Sequence, residues 1–572
     1  MLTLALALAL TGPVAWIDPH DVKAGQKGVC VTEWTDGRRR EIPVEVMGVL
    51  DAPAPERTSV LVRLDDPELA GGGVAAGMSG SPVYIDGKLL GAVAYGWAFA
   101  REPLAGVTPF STMRAIGTFA PPASAPPPTL QQLSLLAAGR LDPLAVLPHL
   151  DHEGPGAAWP VAVSGLPGAQ SGWGSQVLTR AGLGPAGPVG NGPVAGVPEP
   201  GEMMAVLLAW GDALVAAGGT VTAREGDTLW AFGHPLFGLG SVRLPAARAR
   251  VLAVQASYQS PFKVFALGEA FGSLVADRPS GVMARIEPPP AGLPVEVEVR
   301  EAAGVAHWRF RVAEHPLLSP LMVTYLTNAC LMARGTSAGE STVRMTYRAR
   351  MEDGQSLAMF QAARSADAPA RLAAFSGAVT ALLAASPLPH PKLTGVEVFL
   401  QRDELPAGAV IAEVLPARTV VRPGEELAVE VRLQPYLQPM SSQRLLLRIP
   451  AVMPAGDVDL VVADGAAWTD YLLKSQPPNA VTFSQQVGAL RQFESSTTLV
   501  LALEGREKGV AVPGGVLSAV PPSWAWSLGA GLGGTVTRVP TSIVGSTRWA
   551  APYPLEGAVR IPIVVRPPRE AP

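Results

Sequence analysis

The chain is short of cysteine, of charge and of long apolar runs, and each shortage excludes something. Only two cysteines, Cys30 and Cys330, occur in 572 residues, so a disulfide framework, a zinc site or an iron–sulfur cluster cannot be assembled from them. They either pair with each other in an oxidising compartment or stay as two buried thiols. Charged residues make up 16% of the chain and the formal net charge is -4. That balance supplies no basic field for nucleic acid and no acidic tail. Lysine is scarcer still, 7 of the 44 basic residues, which reads as composition bias rather than arginine-specific chemistry.

What remains is a globular composition. Apolar residues reach 48%, with 61 Gly and 57 Pro, so turns are frequent and β-structure is expected over long helices. The length exceeds one core and implies three or four domains. Residues 1–15 open on the apolar run Met1–Leu10, too short to span a bilayer and of the length of a signal-peptide core, so export is expected. No second run of about 18–20 apolar residues follows, so no stable membrane span is expected.

From 20 to 117 the pattern is short alternating strands, with Val44, Val46 and Val49 in one set and Val60–Leu64 in another. Residues 118–200, beginning at Pro121–Pro128, read as a Pro/Gly/Ala-rich linker with a short helix near Gln131–Gly139. Strands resume over 201–350. A helical connection follows over 351–387, its helix spanning Ala368–Ala385, with Pro369 in the first turn and Pro387 beyond the end. Residues 388–572 alternate cleanly, Leu427, Val429, Val431 and Leu433 facing one way, and read as one or two β-sandwich modules of Ig-like type. No internal repeat is visible.

One motif carries chemistry. Gly77-Met78-Ser79-Gly80-Ser81-Pro82 precedes the strand Val83–Ile85, the turn pair Asp86-Gly87 and a return strand Lys88–Gly96. Small residues around Ser79 let the backbone fold sharply and approach a substrate. The N–H groups of Gly77 and Ser79 can then converge as an oxyanion hole. Position 81 is Ser, so the Gly-x-Ser-x-Gly elbow of α/β-hydrolases is disfavoured. A serine nucleophile needs a base. Of seven histidines, His234 follows the apolar strand Leu229–Phe232 and Gly233, and precedes Pro235. It is placed either to face a cleft as the base or to serve as a hydrogen-bonded structural imidazole. Asp65-Asp66-Pro67-Glu68 follows the Val60–Leu64 strand, and reads equally as an orienting acid or as a solvated turn. His149 and His152 form a bare His-x-x-His in the linker, more loop than metal site.

The serine motif with its hairpin resembles the SpoIVB-type sporulation serine peptidase domain. The resemblance also runs through Gly233-His234, Asp66-Pro67, Gly219-Thr220-Val221-Thr222 and Asp277-Arg278-Pro279-Ser280-Gly281. It implies a chymotrypsin-like double β-barrel, with 20–117 as the serine-bearing half and 201–350 as the histidine-bearing half. It implies catalytic Ser79, His234 and Asp66, the last leaving Asp65 as the alternative. In that family the histidine half comes first; here the order is swapped, as in a circular permutation. The expected function is an exported serine endopeptidase acting on protein or peptide, periplasmic, extracellular or envelope-associated. It needs no metal and no organic cofactor, and the C-terminal β-modules would meet an envelope protein partner. The alternative is a catalytically inactive envelope scaffold that keeps the fold.

Overall fold

A computed structural model describes residues 13–51, 58–69, 72–97, 99–118, 126–148, 159–166, 172–258, 261–334, 339–403, 405–475, 480–505, 509–512, 515–517, 520–531, 537–539 and 542–567. The apolar run Met1–Leu10 and the pair His149 and His152 lie outside them. The fold divides into two compact units. The first holds residues 1–125, 148–295 and 309–325; the second holds 126–147, 296–308 and 326–572.

The first unit contains two closed rings of strands. Strands β1 (Lys27–Glu33), β2 (Arg39–Leu50), β3 (Ser59–Leu64), β4 (Pro82–Ile85), β5 (Lys88–Tyr95) and β6 (Leu104–Pro109) close in the order β1-β2-β3-β6-β5-β4. Alternation drives the closure: Ile42, Val44 and Val46 of β2 turn inward, as do Val60, Val62 and Leu64 of β3. The turn between β4 and β5 has positive φ at both Asp86 (50°) and Gly87 (75°), the requirement of a type I′ hairpin.

Three short strands follow, β7 (Trp159–Ser164), β8 (Leu183–Gly187) and β9 (Val189–Asn191). Then come β10 (Met203–Gly211), β11 (Leu214–Glu225), β12 (Thr228–Ala231), β13 (Gly240–Gln255), β14 (Phe262–Arg278) and β15 (Gly281–Ile286). These six pair as β10-β11-β12-β15-β14-β13, and β13 returns to β10. Numbered within each ring, both follow the same order, 1-2-3-6-5-4. The fold therefore repeats although the sequence does not, because a ring demands only apolar alternation and turns at the right places. Part of the stretch expected as a linker belongs to the second ring's sheet: β7 pairs with β11, β8 with β7, and β9 with β14.

The rings meet on a shared core of Leu89, Ala92, Phe110, Met113 and Ile116 from the first side and Ala223, Trp230 and Ala276 from the second. Beside it, Glu33 of β1 is 1% exposed. Its carboxylate accepts the Met203 and Val251 amides, each at 2.8 Å, so one buried side chain stitches the first ring to two strands of the second.

In the second unit, strands Ser341–Met351, Ser356–Ser365 and Leu393–Asp403 pair antiparallel, and helix Ala368–Ala384 packs on them, with Tyr347 Oη 2.9 Å from Thr380 Oγ1. Beyond residue 404, a four-stranded and a five-stranded sheet share one apolar core that includes Leu427, Val429, Val431, Leu433, Leu460 and Leu501. Helices Gly465–Ser475 and Phe483–Arg491 lie between two strands of the five-stranded sheet. Residues expected as strand near 320–330 form the helix Leu318–Met332. Leu321, Met322, Val323, Tyr325 and Leu326 are all buried, as are Thr324, Thr327 and Asn328, so the helix is buried on every side and shows no period to read.

Glu33→Gln would set an amide NH₂ against one of the two backbone N–H groups. A loss of about 1–3 kcal/mol is expected, read as a lower urea midpoint at an unchanged m-value.

Candidate functional site

The serine turn lies in the connection between the third and fourth strands of its ring. Gly77 (φ 91°) and Gly80 (φ 92°) adopt the left-handed region that favours glycine. At Gly80 a side chain is also excluded by space: a Cβ there would overlap Thr220 O and sit 2.5 Å from Phe232 N. Ser79 itself is half-buried.

Peptide planarity fixes where the two key amides point. The Ala76 carbonyl accepts the Lys263 amide at 3.0 Å, and the Met78 carbonyl accepts the Ser81 amide at 2.9 Å. In a trans peptide the N–H is antiparallel to the C=O. The Gly77 and Ser79 amides therefore point away from those partners, and neither donates to a protein acceptor among the described residues.

His234 lies in the matching connection of the second ring, between its third and fourth strands. The chain reaches it through a tight kink: Gly233 N donates back to Ala231 O at 2.8 Å and Phe232 has φ 68°. This is a γ-turn with a bulky residue at positive φ, a strained arrangement. The Phe232 ring is buried and fills the space beside Gly219, where a Cβ would meet it. The imidazole Nδ1 lies 2.8 Å from Pro235 O. A carbonyl only accepts, so Nδ1 carries the proton and the lone pair is on Nε2. Burial then depresses the imidazole from 6.5 to about 4, with the Pro235 bond opposing it in part. The ring is neutral at pH 7, the form that a general base requires.

Each turn is held by the opposite ring. Thr220 Oγ1 of β11 donates to Gly77 O at 2.8 Å, Thr222 Oγ1 donates to Gly80 O at 2.7 Å, and Thr220 N donates to Ser79 O at 2.7 Å. Thr222 is the extra residue of a bulge against β12. In return, Thr108 Oγ1 of β6 donates to Gly233 O at 2.6 Å. Both turns converge on Val93: Gly80 N donates to Val93 O at 2.7 Å, and a Cβ on Gly233 would lie 3.3 Å from that same oxygen. Ser79, which precedes Gly80, and His234, which follows Gly233, thus each neighbour a glycine that meets Val93, from chain positions 155 apart.

The expected orienting acid is engaged elsewhere. The Asp66 carboxylate is bound by Arg40 at 2.8 and 3.0 Å and by the Glu68 amide at 2.8 Å. Arg40 also stacks on Trp34 and pairs with Glu68. The seat on His234 Nδ1 is taken by Pro235 O. Asp66 therefore anchors a loop instead of orienting His234, a correction to the expectation, and Asp65 is exposed. The reason is local: Asp-Pro-Glu beside an arginine satisfies its own charge. The residue that sequence reasoning passed over is Asp277, at the end of β14. Wholly buried, it accepts the amides of Leu236 at 2.7 Å, Phe237 at 2.8 Å and Leu239 at 3.2 Å, and so shapes the loop that leaves His234. Its signal was in view, in Asp277-Arg278-Pro279, but pointed to no role.

The other described histidines have partners of their own. His20 and His307 are exposed beside Asp51 and Glu298, His390 is exposed, and His315 caps the start of the Leu318–Met332 helix through Leu317 N. No group of His, Cys, Asp or Glu among the described residues is arranged to hold a metal ion.

Two outcomes are expected. Gly80→Ala meets backbone on two sides at a positive φ and should destabilise the fold by upwards of about 3 kcal/mol, read by thermal melting. His234 and His315 both titrate near 4 when folded and near 6.5 when unfolded. Between those values the unfolded chain binds protons that the folded chain refuses. Stability present above pH 6.5 should therefore be lost as the pH falls towards 4, seen as a declining urea midpoint. That decline should be shallower in His234→Gln.

Neither a curated protein nor a solved structure matches the chain. One family does: residues 10–110, which hold the first ring and its serine turn, match the family described as SpoIVB peptidase S55, and the histidine-bearing ring lies outside that match.

Proposed function

We propose that this protein is a serine endopeptidase of the SpoIVB type, built on a chymotrypsin-like pair of barrels whose serine half precedes its histidine half. The observation that carries it is the convergence at Val93 of a serine turn with two unspent amides and a neutral, Nδ1-protonated imidazole. Ser79 Oγ attacks the scissile carbonyl and passes its proton to His234 Nε2. The Gly77 and Ser79 amides receive the negative charge on the carbonyl oxygen, where each such donor is worth about 10²–10³ in rate. The protonated His234 then gives its proton to the leaving amine, and water repeats the sequence on the acyl-enzyme. Pro235 O does for the imidazole what an aspartate does elsewhere, holding its tautomer, and Asp277 holds the loop that carries Pro235.

The swapped order is supported by the rings themselves. Each closes on its own strands, so exchanging the two along the chain disturbs no pairing. Export is supported by the apolar run at the N-terminus. The two-sheet C-terminal region, which we read as an Ig-like module, would meet an envelope protein partner.

A fluorophosphonate probe tests the chemistry directly. Ser79 Oγ bonds to phosphorus, the P–F bond breaks, fluoride leaves, and His234 takes the hydroxyl proton. Labelling should vanish in Ser79→Ala and fall by about 10²–10⁴-fold in His234→Ala. Its rate in the wild type should hold steady from neutral pH down to about 5 and be half-maximal near pH 4, where His234 becomes charged. Asp66→Asn should label near the wild-type rate, whereas loss of a true orienting aspartate costs about 10⁴-fold. A folded wild type that never labels would instead favour the inactive scaffold.

A further inference from the structure

Lys263 is 4% exposed and stands under the serine turn, at the start of β14. A buried ammonium is costly unless its hydrogen bonds are made inside the protein, so its partners matter. Nζ donates to Thr32 Oγ1 at 2.8 Å and approaches Thr220 Oγ1 at 3.4 Å. Thr32 Oγ1 also accepts the Ser81 hydroxyl at 2.8 Å, and Thr220 Oγ1 donates to Gly77 O at 2.8 Å. One ammonium thus reaches both ends of the turn, Gly77 through Thr220 and Ser81 through Thr32. The main chain of the same residue does more. Its amide binds Ala76 O at 3.0 Å, the contact that sets the direction of the Gly77 N–H. Its methylenes fill the space beside Gly77, lying 3.2–3.4 Å from where a Cβ would be.

We propose that Lys263 is a positioning residue of the nucleophile turn, holding Gly77–Ser81 in the shape that presents the Gly77 amide to the developing oxyanion. The proposal rests on the reading of Ser79 as the nucleophile. The charge state matters to the direction of the hydrogen bonds. An ammonium has only protons to give, so the Thr220 oxygen accepts from it and the Thr220 proton stays on Gly77 O. A neutral amine carries a lone pair that competes for that proton, and the Gly77 carbonyl is released. Burial lowers Lys263 to about 8, opposed by the Glu33 carboxylate; Glu33 and Cys30, both of β1, are the titratable groups that face it. Cys30 is itself pushed up to about 12 by burial and stays a neutral thiol. The switch from ammonium to amine therefore falls within a range that an assay can cover.

The test compares fluorophosphonate labelling rates from pH 6 to 10 in the wild type, Lys263→Met, Thr220→Val and Ser79→Ala. Methionine keeps most of the packing volume and removes the charge; valine leaves the lysine and removes the bridge to Gly77. The wild-type rate should fall as the pH passes about 8. Both variants should label roughly tenfold more slowly at pH 7 and lack that alkaline fall. Two kinds of folded variant would overturn the proposal: one with the wild-type rate, or one that is slower but keeps the wild-type alkaline fall, which would mark Lys263 as packing only. Should Lys263→Met not fold, Thr220→Val decides. A wild type that labels no more than Ser79→Ala at any pH removes the nucleophile itself, and is recognised as the failure of the peptidase reading.

Discussion

The arrangement on which the rest depends is an exchange of hydrogen bonds between two rings of strands. The serine turn belongs to the first ring but is held by Thr220 and Thr222 of the second; the histidine turn belongs to the second but is held by Thr108 of the first. These bonds are buried, where an unmade one costs about 1–3 kcal/mol, so neither turn is complete without its opposite. Glu33 adds a third stitch, with each carboxylate oxygen accepting a backbone amide across the seam. Site geometry is therefore a property of the interface and not of either ring.

The two turns also occupy the same connection in the same strand order, between the third and fourth strands of each ring. A repeated ring offers that connection twice, and here one copy holds the serine turn while the other holds a strained γ-turn ending at an imidazole. The first ring closes before the second begins, so the order proposed for the two halves disturbs neither. The strands β7 to β9 between them join the second ring's sheet and leave its closure intact.

Legibility in the sequence followed locality. The Gly77–Pro82 turn and the Asp86-Gly87 hairpin could be read because the residues that require the geometry are adjacent. The helix Ala368–Ala384 could be read because Pro369 and Pro387 bracket it, and the strand Glu426–Pro435 because its alternation is clean. Helix Leu318–Met332 is hidden because it is buried on every side and has no amphipathic period, and the repeated ring because its sequence shows no repeat. At the site, the Asp-Pro step before the serine motif points to Asp66 as a partner of His234, but Arg40, 26 residues earlier, holds it. Asp277 and Lys263 act through contacts made 40 and about 180 residues away, at Phe237 and at the serine turn, distances that no local pattern encodes.

The kink at Phe232 has a consequence for when the chemistry becomes available. A phenylalanine at positive φ costs about 1–3 kcal/mol and persists only while its surroundings insist on it. Those surroundings are the slot beside Gly219 and the Thr108 hydroxyl that holds the very next carbonyl. Thr108 arrives from the other ring. A chain still folding, or one cut so that the rings part, loses that hold and lets the kink relax, turning the imidazole off its line. On the proposed reading, the half-made or damaged protein is harmless to its neighbours, and only the finished one can cut.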